Sequence, residues 1–94
     1  MIKKFKDKET KKIWEGESSK KLPSDIQDRA LRKLRQIDAS FNLNDLKIPP
    51  SNHLEMLKGK RNGQISIRIN QRWRICFLWN DGKATEVEII DYHQ

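Results

Sequence analysis

The sequence predicts an α+β domain: a short N-terminal strand, then two helices packed on a three- to four-stranded antiparallel sheet. Three observations carry this. Apolar residues recur at helical spacing from Ile26 to Phe41. Two later runs, Ile65 to Ile69 and Trp73 to Trp79, alternate apolar and polar residues as half-buried strands do. Asn80-Asp81-Gly82 then gives a strong hairpin signal ahead of Val87 and Ile89.

Taken in order, Ile2 to Phe5 reads as an edge strand interrupted by Lys3 and Lys4. Asp7 caps a short helix that reaches about Glu15 and stops at Gly16, with Ile13 and Trp14 as buried anchors. Glu17 to Leu22 is a polar loop. Ser24 and Gln27 fit a capping box, with Pro23 just before it. Ile26, Ala30, Leu31, Leu34, Ile37 and Phe41 form the buried stripe of the helix that follows, and Arg29, Arg32, Lys33 and Arg35 its solvated face. Asn42 to Asn52 is a loop, because Pro49-Pro50 blocks helix. His53 to Leu57 reads as a short strand, and Gly59 to Gly63 as a basic turn. One sheet face carries the helices and the other is expected to be open.

The 94 residues suit one domain, 1–94, with one core and no internal repeat. Charged and hydrophobic residues each make up 35%, and the apolar ones are patterned, which favours a folded chain over a disordered one. A formal net charge of +7 points to a polyanion such as nucleic acid, with solubility alone or an acidic protein partner as the plainer explanations. The single cysteine, Cys76, sits in an apolar strand, reads as a core residue and suggests no oxidising compartment. No secretory signal or membrane span is expected, so the cytoplasm is the default location. No Cys or His pair has structural-zinc spacing, and neither metal nor organic cofactor is expected.

If the first hairpin turns on Asn70-Gln71-Arg72, Arg68 faces Arg74 across the strands. Like charges placed directly opposite destabilise a sheet, so an anion is expected there. Alternatively, each arginine pairs with a carboxylate such as Glu86 or Glu88. The run Lys58-Gly59-Lys60-Arg61-Asn62-Gly63 lets cations approach a phosphate backbone closely. RNA cleavage without a metal needs a base for the 2′-hydroxyl, cations for the charged transition state and an acid for the departing 5′-oxygen. Glu55 fits as base, Arg74 and Lys58 as charge stabilisers, and His93 as acid. Strand parity places Tyr92, not His93, on the Arg74 face, so the chain must leave the sheet near Asp91 for His93 to reach the site.

The segments Leu54-Glu55-Met56-Leu57-Lys58-Gly59, Arg61-Asn62-Gly63-Gln64, Ser66-Ile67-Arg68-Ile69-Asn70, Trp73-Arg74-Ile75-Cys76-Phe77 and Asp91-Tyr92-His93 resemble the HigB-type toxins, the plasmid-maintenance killer branch of the RelE/ParE superfamily. The resemblance spans most of the chain, including Met1 to Phe5 and Leu43 to Leu46. It implies a ribosome-dependent endoribonuclease that cuts messenger RNA in the decoding A site of the 30S subunit. The products it implies are a 2′,3′-cyclic or 3′-phosphate and a 5′-hydroxyl. It also implies a HigA-like helix-turn-helix antitoxin, through which alone the toxin meets operator DNA. Lys58, Arg68, Arg74, Asp91, Tyr92 and His93 match the family's pattern, and Lys60, Arg61 and Arg72 extend the expected RNA- and ribosome-binding surface. Some members carry histidine near position 55, where this chain has Glu55, with His53 two residues earlier; either is open as the base. Two other readings share the fold: a ParE-like gyrase poison and a non-catalytic ribosome-binding growth inhibitor.

Overall fold

The computed structural model describes residues 1–92; His93 and Gln94 lie outside the described residues. Helix α1 (Lys8–Trp14) starts at Asp7, whose side chain accepts from the Thr10 amide, and sends Ile13 into the core. Gly16, at φ +84°, takes the left-handed conformation that ends it. Helix α2 (Ser24–Ala39) buries Ile26, Ala30, Leu34 and Ile37, as its periodicity predicts.

Both ends of α2 differ from expectation. Pro23 occupies the cap position and has no side-chain acceptor, so Ser24 lies inside the helix and the Ser24–Gln27 capping box does not form. Gln27 turns back instead. Its amide donates to the carbonyls of Ser19 (2.8 Å) and Leu22 (3.0 Å), and its oxygen accepts from the Ser19 amide (3.1 Å). These bonds tie the polar loop to the helix. At the other end Ser40 is extended and stops the helix after Ala39. Phe41 therefore leaves the stripe and is 89% exposed. Trp14 is only half-buried and packs against Phe5, with ring centroids 6.0 Å apart.

The sheet is antiparallel, in the order β1 (Glu55–Met56), β2 (Ile65–Arg68), β3 (Trp73–Asn80), β4 (Lys83–Asp91). The strand expected at His53 to Leu57 thus shortens to two residues. Asp81 (φ 54°) and Gly82 (φ 75°) make the tight turn between β3 and β4, and both need the positive φ that a mirror-image hairpin turn requires. The N-terminal edge strand reduces to two parallel bridges, Ile2 with Ala84 and Phe5 with Val87.

A β-bulge sets the phase of β4. Cys76 pairs with Glu88 and Leu78 with Thr85, so Glu86 and Val87 together oppose Phe77. Strict alternation would send Ala84 and Val87 to opposite faces. The extra residue, with Glu86 at φ 51°, lets both reach the core, where each is fully buried. That core lies between the helices and one sheet face, and Phe77, Leu34, Ile37, Ile67 and Ile75 are among its fully buried side chains.

The opposite face is not fully open. Ser66 and Cys76 are 0% exposed there and Arg74 is 4% exposed. Leu57, also buried, shares this face by the register of β1 with β2. After the edge strand β1, buried Leu57 and Arg61, which pairs with Glu88, lie on this part of the face, while Leu78 farther along it is 37% exposed.

Truncating Phe77 to Ala should lower stability by about 3–5 kcal/mol, the range for losing a buried aromatic side chain. Urea unfolding should show a lower midpoint at unchanged slope.

Candidate active site

The β2–β3 turn places Arg68 directly opposite Arg74, as the three-residue turn predicts. Neither Glu86 nor Glu88 neutralises them. Glu86 pairs with Lys4 at 3.8 Å, and Glu88 with Lys6 at 3.0 Å and Arg61 at 3.8 Å. The carboxylate that reaches Arg74 is Glu55, at 3.7 Å.

Arg74 is held on several sides and is 4% exposed. Its Nε donates to the Ser66 hydroxyl at 2.8 Å, and its Nη2 donates to the His53 carbonyl and, at 3.5 Å, to the Ser66 carbonyl. The Tyr92 ring lies over the guanidinium, with 5.3 Å from Cζ to the ring centroid. Burial pulls the Arg74 pKa down, Glu55 opposes that shift, and Arg68 adds to it. A guanidinium remains charged under such pressure. The result is a fixed cation in a low-dielectric setting, next to a carboxylate whose side chain is 47% exposed.

The loop before β1 carries the groups that hold this arrangement. Asn52 is fully buried. Its amide donates to Gln36 (3.1 Å) and to the Leu46 carbonyl (3.1 Å), and its oxygen accepts from Lys33. This fastens the loop to α2. His53 follows in a left-handed conformation (φ 45°), which aims its carbonyl at Arg74 and starts the chain into β1. Neither Asn52 nor the His53 carbonyl was signalled by the sequence. Ser66 was placed on the correct face by alternation, yet only the structure shows it bound to Arg74.

A shallow depression of about 410 Å³ gathers Lys58, Lys60, Arg61, Asp91 and Tyr92 beside the pair. Lys58 and Lys60 are exposed. Arg61 is half-buried, donates to Gln64 at 2.9 Å and pairs with Glu88, so part of its charge is engaged in holding the turn. Arg72 binds Asp91 at 2.7 Å at the end of the sheet. Tyr92 lies on the Arg74 side, as parity predicts. His93, expected as the acid, lies outside the described residues. Among the described residues no three His, Cys, Asp or Glu side chains cluster as a metal would need. Cys76 is buried, and desolvation pushes its thiol up to about 11, so it is protonated at neutral pH and a poor nucleophile.

A family profile described as the RelE-like toxin of the type II toxin–antitoxin system HigB matches residues 3–93. The chain is 41% identical to Toxin HigB-1 of Vibrio cholerae over 91 residues, which cover 96% of this chain and 95% of that protein. It is 34% identical to Endoribonuclease HigB of Proteus vulgaris over 93 residues, covering 99% of this chain and 100% of that one.

The Cys76 thiol should resist iodoacetamide at pH 8 until the protein unfolds. Its folded pKa lies above the ordinary value of 9.0, so its contribution to stability is complete below that pH and is lost as pH rises toward about 11. Ser66→Ala should cost about 1.5–3 kcal/mol, the worth of a hydrogen bond to a charged group, measured by chemical unfolding.

Proposed function

The chain belongs to the HigB-like family of RelE-like toxins of type II toxin–antitoxin systems, and from that membership we propose that it is a ribosome-dependent, metal-independent endoribonuclease that cuts messenger RNA in the A site. The observation that carries the proposal is the Glu55–Arg74 pair: an exposed carboxylate beside a buried, rigidly held guanidinium. Family membership implies an antitoxin partner. We take that partner to be a HigA-like helix-turn-helix protein.

The proposed chemistry runs in one displacement. Glu55 accepts the proton of the 2′-hydroxyl as its oxygen attacks the adjacent phosphorus. The bond from phosphorus to the 5′-oxygen breaks, and a proton passes to that leaving oxygen. His93, the residue after Tyr92 in the sequence, is the proposed donor. Arg74 supplies fixed positive charge where the phosphorane becomes more negative, and Lys58 adds charge from the exposed edge. The products are a 2′,3′-cyclic phosphate and a 5′-hydroxyl. The site is shallow and open, so it does little to hold a flexible strand with attacking and leaving oxygens in line. The ribosomal A site would supply that positioning, which is worth several orders of magnitude in rate. The proposed target, the ribosome, places its action in the cytoplasm.

The test is cleavage of a defined messenger RNA on programmed ribosomes. Glu55→Gln keeps the shape but loses the base, and should slow cleavage by about 10²–10⁴-fold. Arg74→Lys keeps a charge but loses the fork held by Ser66 and His53, and should slow it by about 10²–10³-fold. An unchanged rate for Glu55→Gln would remove Glu55 as the base.

A further inference from the structure

Helix α2 carries Arg29, Arg32, Lys33 and Gln36 at i, i+3, i+4 and i+7, on one face. The sequence offers only a solvated helix face there. In the structure this face forms one wall of a cavity of about 600 Å³, and Arg68 at the end of β2, with Asn70 and Gln71 from the β2–β3 turn, lines the other. The cavity exists because β1 is short. It pairs with Ile65 and Ser66 and leaves the Arg68 end of β2 without a strand neighbour on that side.

The charges here are uncompensated. No carboxylate lines the cavity, and none of the ion pairs among the described residues involves Arg29, Arg32, Lys33 or Arg68. The Arg68 Nε is buried with no hydrogen-bond partner among the described residues. Arg29 is anchored across the gap by donating to the Ile69 carbonyl at 3.2 Å, and Lys33 is held by Asn52. Burial, with Arg29 and Arg32 nearby, lowers the Lys33 pKa, as expected where like charges are confined together. Cations gathered this way without a carboxylate complement an anion, and arginine forks suit phosphate oxygens.

The cavity also adjoins the proposed active site. Arg68 faces Arg74 across the strands, and His53, whose carbonyl binds Arg74, lines the cavity. We propose that this groove is a second RNA phosphodiester site, engaging backbone phosphates away from the bond that is cut. The inference rests on the reading of the protein as an RNA-cleaving toxin. The phosphates belong either to the strand being cut or to ribosomal RNA.

The test compares Arg29→Gln/Arg32→Gln with a control of equal net charge, Lys20→Gln/Arg35→Gln, whose residues do not line the groove. Binding is measured to a short 2′-O-methyl RNA, which cannot be cut, to ribosomes and to the antitoxin. The groove variant should bind RNA at least fivefold more weakly than the control. On the short RNA its salt slope should fall by about 1.4, at roughly 0.7 for each of two lost single-strand contacts. Loss on the short RNA assigns the groove to the substrate strand, and loss on ribosomes alone assigns it to ribosomal RNA. Equal affinity of the two variants for both overturns the proposal, as does a loss confined to the antitoxin. Because the short RNA is uncleavable, its binding is read independently of catalysis, and a failure of the RNA-cleaving reading would show separately, as messenger RNA left uncut by the native chain on programmed ribosomes.

Discussion

The buried guanidinium of Arg74 is the constraint on which the rest of the site depends. Moving a cation out of water costs several kcal/mol unless its protons are satisfied. Arg74 is only 4% exposed to solvent, so that satisfaction has to come from fixed neighbours. Ser66 provides it from the next strand, His53 from a backbone carbonyl, Tyr92 from above and Glu55 from the rim. Each belongs to a different stretch of chain, so holding one charge organises β1, β2, the loop before β1 and the end of β4 around one point. A charge fixed in this way needs no reorganisation when a phosphate beside it gains negative charge, which is the condition for efficient electrostatic catalysis.

The helical side of the molecule serves the same point from a distance. The stripe of α2 packs the helix on the sheet, and the flank beside that stripe holds Asn52 through Lys33 and Gln36. Asn52 in turn fixes the turn at His53. A polar residue buried this completely is retained where its bonds define a unique chain path. The same helical face contributes the basic wall of the groove, so one element anchors the site and presents charge beside it. The bulge at Glu86 and Val87 keeps β4 in phase with the core while the strand continues toward Asp91 and Tyr92.

Local regularities were legible in the sequence. The α2 stripe, the alternation in β2 and β3, the Asp81-Gly82 turn, the pairing of Arg68 with Arg74 and the side taken by Tyr92 all follow from period and turn length alone. What was not legible depends on long-range register. Glu55 reaches Arg74 only because β1 pairs with β2 across the basic turn, whereas the sequence pointed to Glu86 or Glu88 as the carboxylate partner. The expected open face failed in part for the same reason, since the segment that covers part of it has no periodic pattern. At the ends of α2, a proline cap and an early stop at Ser40 overrode a plausible capping box and an apparently continuous stripe through Phe41. The terminal His93 falls outside the described residues, so its role rests on resemblance and chemistry.

The most direct measurement is a map of messenger RNA 5′ ends in cells making either the native chain or Arg74→Lys, with and without blocked translation, after circular dichroism has shown that the variant is folded. New 5′-hydroxyl ends inside translated codons, absent for the variant and absent when translation is blocked, are the predicted result. Growth arrest with messenger RNA left intact would contradict it.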